Sequence, residues 1–334
     1  MSALPTREVR STGVRLTSLG YGAAQAGNLY RATTDAETAE ALDAAWAAGV
    51  RYVDTAPHYG LGLSERRVGA ALRGRPRDEY VLSTKVGRLL EPSPETAGER
   101  DPEMFDVPAD TRRVWDFSRD GVLRSLEASL GRTGLDRVDV VYLHDPDDHE
   151  EQAFAEAVPA LVELRDQGVV GAIGAGMNQS AMLARFVAEA DVDVVMCAGR
   201  FTLLEQPALA DLLPVAAERG AAVVVAGVYN SGLLAREVVP DDATYDYAQA
   251  PPALLGRTRR IAAACADHGV TLPEAALAYV RAHPAVASTV VGLRTADQVR
   301  QAVDRHAAVV PADLWTDLVG RGLLAPEAHP DAWA

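Results

Sequence analysis

Short apolar runs alternate with Ala-rich amphipathic stretches along nearly the whole chain. The runs lie at 16–21, 51–55, 80–86, 138–144, 169–175, 192–198, 221–228 and 288–293. Each is short, rich in β-branched residues and nearly continuous, the pattern of parallel strands covered on both faces. Between them, 36–48 places Ala39, Leu42, Ala45 and Trp46 on one face. The stretch 64–73 opens with Ser64 and Glu65 and then gathers Val68, Ala71 and Leu72. Further helices are predicted at 120–130, 154–165, 181–189, 207–218, 258–267 and 297–306. Gly49, Gly134, Gly168, Gly220 and Gly269 follow helical stretches, where a left-handed residue ends a helix.

Eight strand–helix units predict an α/β fold, a (β/α)8 barrel, with residues 1–334 as one domain. A doubly wound sheet is the alternative. It calls for a Gly-rich phosphate loop after its first strand, and only Gly20-Tyr21-Gly22 stands there, with no third glycine in register. Two stretches break the alternation: 87–115 after the third strand and 229–256 after the seventh. Both are long and without periodicity, and in a barrel they lie at the strand C-terminal face, where ligands bind.

Composition narrows what such a barrel does. Hydrophobic residues make up 48% of 334, enough for a sizeable core, and the net charge is −15. That balance offers no basic stripe for nucleic acid and no match to an anionic membrane. Cys197 and Cys265 build neither a disulfide framework nor a metal cluster and suit a reducing compartment. Residues 1–10 lack a signal peptide's apolar core, and no apolar run reaches the ~18 residues of a membrane span. The expectation is a cytoplasmic protein, a monomer or small homo-oligomer, whose partner is a small molecule. Of 32 basic residues, one alone is lysine, Lys85. Lysine and arginine interchange on a solvated surface but not where a compact, titratable ammonium is required. Either codon bias spared one lysine by chance, or the site of Lys85 accepts nothing else.

Strand ends carry the chemistry of a barrel. The run 51–55 carries Asp54 and leads into Ala56-Pro57-His58-Tyr59-Gly60, 80–86 ends in Ser83-Thr84-Lys85, and 138–144 ends at His144. An Asp, a Tyr, a Lys and a His therefore converge on one rim. A carbonyl that accepts hydride needs a proton, and a free Tyr titrates near ~10, too high for easy exchange at neutral pH. A neighbouring ammonium is expected to lower that value, a carboxylate to hold the ammonium, and an imidazole to orient the substrate oxygen. Each residue separately also has a structural reading, as cap, ion-pair partner, packing residue or satisfied histidine. The run His144-Asp145-Pro146-Asp147-Asp148-His149 offers metal-type ligands, but a hydride mechanism needs none, so no metal is expected.

Val53-Asp54-Thr55-Ala56-Pro57-His58-Tyr59-Gly60, with Ser64-Glu65, Val68-Gly69, Ser83-Thr84-Lys85 and Tyr142-Leu143-His144, resembles the motif blocks of the aldo-keto reductases over essentially the whole chain. The resemblance implies an NAD(P)-dependent oxidoreductase with Asp54, Tyr59, Lys85 and His144 as its catalytic four. It implies cofactor contacts from Asn178, which holds the nicotinamide amide although the family's preceding Ser is absent. Phe201 is expected to stack on the nicotinamide. The pyrophosphate loop would be Tyr229, Asn230, Ser231, Gly232 and Leu233. Gly292, Arg294 and Gln298 would grip the adenosine phosphate. The cofactor is NADP or NAD, with Arg294 tipping the balance toward NADP. The wording around Tyr59, Trp115-Asp116-Phe117-Ser118 and His144 is similar to the branch of L-fucose (D-threo-aldose), L-galactose and pyridoxal dehydrogenases. That branch implies oxidation of an aldose such as L-fucose at C1 to the lactone, with His58, Asp116 and Asp145 meeting sugar hydroxyls. A pyridoxal 4-dehydrogenase, a general aldehyde or ketone reductase, and a nicotinamide-binding regulatory subunit are the alternatives.

Overall fold

The computed structural model describes residues 4–245 and 248–333. Residues 1–3, residues 246–247 of the second long loop and residue 334 lie outside the described residues. Eight parallel strands close into a barrel: β1 (Leu19–Gly22), β2 (Tyr52–Asp54), β3 (Val81–Val86), β4 (Val140–His144), β5 (Ala172–Met177), β6 (Val194–Ala198), β7 (Ala222–Ala226) and β8 (Val286–Gly292). Neighbours pair in chain order, and β8 closes on β1 from Thr289↔Leu19 to Gly292↔Gly22. Because every strand runs the same way, all their C-terminal ends, Asp54 and His144 among them, share one face.

Seven strands fall within or beside the expected runs, and the first is displaced. Residues Arg15–Thr17 pair antiparallel with Thr6–Glu8 instead of entering the barrel. The Thr17 hydroxyl accepts from the Arg51 and Tyr52 amides at 3.2 and 3.1 Å, so a side chain replaces a ladder partner there. Inside the barrel, Tyr52, Val140, Tyr142, Val194, Met196, Val224 and Val290 pack into one apolar cluster with Val9 and Leu16 of the N-terminal hairpin. A larger apolar layer lies between the strands and the surrounding helices.

The helices are α1 (Asp35–Ala47), α2 (Leu63–Leu72), α3 (Arg119–Thr133), α4 (Val158–Asp166), α5 (Ser180–Glu189), α6 (Leu212–Arg219), α7 (Pro252–Asp267), α8 (Leu272–Ala282), α9 (Ala296–Ala307) and α10 (Ala312–Gly320). The five helix-ending glycines all have positive φ, from +63° at Gly134 to +86° at Gly49. Two helices, α8 and α10, were not among the expected elements. The first carries a capping box, Thr271 with Glu274, and Pro273 in its first turn, a start signal legible in the sequence. The first long loop is not irregular: Arg88–Pro92 pairs antiparallel with Thr111–Trp115, bringing Leu90 opposite Arg113. Ser64 is not a helix cap but lies inside α2, where its hydroxyl donates to the Ala23 carbonyl at 2.7 Å and meets the Thr55 hydroxyl at 2.8 Å. Those two bonds tie α2 to the segment following β1 and to the end of β2.

Candidate active site

The turn between β2 and α2 aims Tyr59 over the barrel mouth. Gly60, at φ +62°, makes this possible: a Cβ there would stand 2.2 Å from the Gly27 carbonyl oxygen. The two backbones cross at contact distance only because both positions are glycine. Beneath Tyr59, Lys85 projects from β3. Its Nζ donates to Asp54 Oδ2 at 2.6 Å, to the Thr55 carbonyl at 3.1 Å and to the Tyr59 hydroxyl at 3.0 Å. Asp54 and Lys85 are almost fully buried, and His144 closes the group with its ring centroid 5.9 Å from that of Tyr59. The structure thus brings together all four residues singled out at the rim.

Proton counting fixes the direction of these bonds. An ammonium has three protons and no acceptor, and Lys85 spends all three. The Tyr59 oxygen therefore accepts from Lys85, which leaves its own proton for the open side of the site. Burial opposes the charge on Lys85, but Asp54 and Tyr59 more than offset it and raise its pKa above the ordinary lysine value. At Tyr59 burial wins: it raises the phenol pKa, with Lys85 pulling down and Asp54 pushing up. The expectation that the ammonium would bring Tyr59 below ~10 is corrected, because desolvation of a phenolate costs more than the neighbouring charge returns. Burial, with Arg88 and Lys85, drives the His144 pKa well below the usual histidine range, so His144 is a neutral imidazole, and among the described residues its Nδ1 has no partner.

The paired strands of the first long loop supply a second set of charges that the sequence reading missed. Arg113 is held by both oxygens of buried Asp101 at 2.6 and 2.8 Å and donates through Nε to His58 Nδ1 at 2.6 Å. Arg88 reaches the same nitrogen at 3.2 Å and pairs with Asp145. Arginine only donates, so His58 Nδ1 is the acceptor and Nε2 carries the proton. Burial and the two arginines push the His58 pKa down to about 2, so this tautomer is neutral. His58 lies against Tyr59 and His144, and Asp145 follows His144 at the end of β4. The expectation that Asp116 meets a sugar hydroxyl is corrected: its carboxylate accepts from the amide and hydroxyl of Ser118, the residue that caps α3, and pairs with Arg124. The apolar pairs Leu89-Leu90 and Val114-Trp115, each preceded by an arginine, were the available signal for this loop.

A cavity of about 690 Å³ opens beyond the ends of β7 and β8. Tyr229, Ser231, Gly232, Gly292 and Gln298 line it. Asn230 instead turns toward the Gly199 carbonyl and Glu205, and Leu233 is fully buried. Asn178 stands exposed just past β5. Phe201 cannot stack on a nicotinamide: it is fully buried among Tyr279, His283 and Trp333. Arg294 is likewise committed elsewhere, donating to the Leu29 and Arg31 carbonyls and to the Thr33 hydroxyl, and so anchors the loop after β1. The cations on the cavity wall are Arg236 and Arg305, and Arg305 faces the Tyr229 phenol.

Comparison with known proteins agrees with this geometry. The model of the Aldo/keto reductase family matches residues 18–319. A D-threo-aldose 1-dehydrogenase of Pseudomonas sp is 49% identical over 94% of this chain and 96% of its own length. A pyridoxal 4-dehydrogenase of Microbacterium luteolum is 37% identical over 97% of this chain and 99% of its own. Among solved structures, the holo form of an aldo-keto reductase from Bacillus halodurans superposes with a TM-score of 0.74 at 25% identity, covering 96% of both chains. With the closed barrel, the family match across its length and these near full-length relatives, the chain belongs to the aldo/keto reductase family and is an NAD(P)-dependent oxidoreductase.

Proposed function

We propose that this enzyme is an aldose 1-dehydrogenase, which removes hydride from C1 of a cyclic D-threo-aldose such as L-fucose and leaves the lactone. The observation that carries this reading is the 49% identity, over nearly the full length, to a D-threo-aldose 1-dehydrogenase. Tyr229, Ser231, Gly232, Gly292 and Gln298 would hold a nicotinamide nucleotide in the cavity beyond β7 and β8, and its chemistry there would be to take up or supply a hydride. The chain's own groups handle the proton. In oxidation the Tyr59 oxygen receives the C1 hydroxyl proton, and in reduction it returns one to the carbonyl. Lys85 steadies the phenolate, Asp54 holds Lys85 charged, and neutral His144 orients the reacting oxygen. His58, fixed with its proton on Nε2, presents a donor to a ring hydroxyl. We place the reaction in the cytoplasm, in a monomer or small homo-oligomer, where two buried free thiols suit a reducing compartment. The 37% identity to a pyridoxal 4-dehydrogenase supports a second reading, in which pyridoxal, as its cyclic hemiacetal, takes the place of the aldose.

Initial rates with free aldoses, pyridoxal and simple aldehydes, each with NAD and NADP, test the substrate. A D-threo-aldose is expected to give the highest kcat/KM, and a clear preference for pyridoxal or a simple aldehyde overturns the reading. Tyr59→Phe is expected to lower turnover by about 10²–10⁴-fold with cofactor binding nearly intact, because only the transferable proton is lost. Turnover near wild type in that variant removes Tyr59 from its role. For the cofactor, Arg305→Ala is expected to weaken NADP(H) more than NAD(H), by about 1.5–3 kcal/mol, the worth of a hydrogen bond to a charged group. Arg294→Ala is expected to weaken both alike, since its guanidinium serves the loop. Fluorescence titration of both nucleotides measures this, and equal losses for Arg305→Ala would show that it does not read the extra phosphate.

A further inference from the structure

Below the site, three hydroxyl groups run down the barrel axis from Asp54. Ser83 Oγ lies 2.6 Å from Asp54 Oδ1, the Tyr52 hydroxyl 3.1 Å from Ser83 Oγ, and the Tyr142 hydroxyl 3.1 Å from that of Tyr52. All three residues are fully buried. None of them touches the open site. Asp54 is a carboxylate beside an ammonium and only accepts, so Ser83 donates to its Oδ1. The Ser83 hydroxyl is also the donor toward the Tyr52 oxygen, so its one proton is shared between two acceptors. Either phenol of the Tyr52–Tyr142 pair can donate to the other. Burial raises the pKa of both phenols and keeps them protonated. Ser83 thus meets the Asp54 oxygen that Lys85 does not.

We propose that Ser83, whose hydroxyl lies between Asp54 and Tyr52, is a positioning group: it fixes how much negative charge Asp54 presents to Lys85, and so sets the pH at which Tyr59 gives up its proton. Asp54 acts on Tyr59 in two ways, and removing a donor from Asp54 strengthens both. An unscreened carboxylate repels the phenolate more. It also draws the Lys85 proton toward itself, which weakens the bond from Lys85 to Tyr59. Both effects push the Tyr59 titration upward. The other charged or titratable groups around Tyr59 are Lys85 of β3, His144 and Asp145 at the end of β4, Arg88 of the first long loop, and His58 of its own turn. Among these groups and Asp54, the hydroxyl row is bonded to Asp54 alone. Because Tyr52 and Tyr142 stand on β2 and β4, the row also couples the strand ends that carry Asp54 and His144.

The inference rests on Tyr59 as the proton carrier, and its test separates the two. The pH dependence of kcat/KM for alcohol oxidation is measured for wild type, Ser83→Ala, Ser83→Thr, Tyr52→Phe and Tyr142→Phe, with circular dichroism to confirm folding and Tyr59→Phe as reference. Ser83→Ala is expected to move the rising limb upward by about half a pH unit or more, a roughly threefold loss at any pH below the midpoint, with KM unchanged. Tyr52→Phe, which removes the second acceptor of the Ser83 proton, is expected to move it slightly downward, and Tyr142→Phe to move it least. Ser83→Thr, which keeps the hydroxyl, is expected to restore the wild-type profile. A folded Ser83→Ala protein with an unshifted or downward-shifted limb overturns the inference. If Ser83→Ala does not fold, Tyr52→Phe decides: an unshifted or upward-shifted limb overturns the inference. Retained turnover in Tyr59→Phe overturns the proton-carrier reading itself.

Discussion

The site depends on one buried ion pair. Moving an ammonium and a carboxylate out of water costs several kcal/mol per ion, even after the protein relaxes around them. Asp54 and Lys85 meet that cost only because every proton of Lys85 has an acceptor and Asp54 also accepts from Ser83. Such completeness requires β2 and β3 in exact neighbouring register, with Asp54 opposite Ser83. It also requires the Tyr59 turn to close over them, which the Gly27–Gly60 crossing permits. Removing either charge would strand the other in the barrel, a loss of about 3–5 kcal/mol in comparable pairs. Strand order, turn glycines and the anchoring of α2 by Ser64 thus serve one arrangement of four polar atoms.

The same burial decides how the site works. Lys85 and desolvation pull the Tyr59 phenol in opposite directions, and desolvation prevails. A phenol held protonated across the neutral range is ready to donate to a developing alkoxide, whereas oxidation draws on the deprotonated form and gains as the pH rises. His144 and His58 are kept neutral by burial beside Arg88 and other cations, so the mouth holds its hydrogen-bonding pattern over a wide pH range. On the proposed function, one phenol carries the proton traffic while the groups around it stay fixed.

The barrel was legible because its signals are local. Apolar runs of strand length, amphipathic stretches and helix-ending glycines each reflect a nearby backbone requirement. The four rim residues were legible because the strands that bear them end at one face. What failed were questions of side-chain direction. Phe201 turns outward into the helix layer, Asp116 holds the Ser118 cap of α3, and Arg294 is spent on backbone carbonyls. In a chain that uses arginine almost everywhere for positive charge, nothing local distinguishes an arginine that braces a loop from one on a cavity wall. Arg113 and Arg305 went unnoticed for that reason. Neither was the hydroxyl row below Asp54 visible, since Tyr52, Ser83 and Tyr142 come from three strands and meet only when the barrel closes.

Lys85→Arg puts the central interaction to its most direct test. Arginine keeps the charge and part of the pairing with Asp54, so the variant should fold, as circular dichroism would show. A guanidinium is planar and wider and spreads its charge over five donors, so it cannot satisfy Asp54, the Thr55 carbonyl and Tyr59 from one point. A pH–rate profile of oxidation should therefore show a large loss of rate with the rising limb moved upward. Full activity with an unshifted limb would contradict the role of Lys85 as a compact ammonium and leave the single lysine an accident of composition.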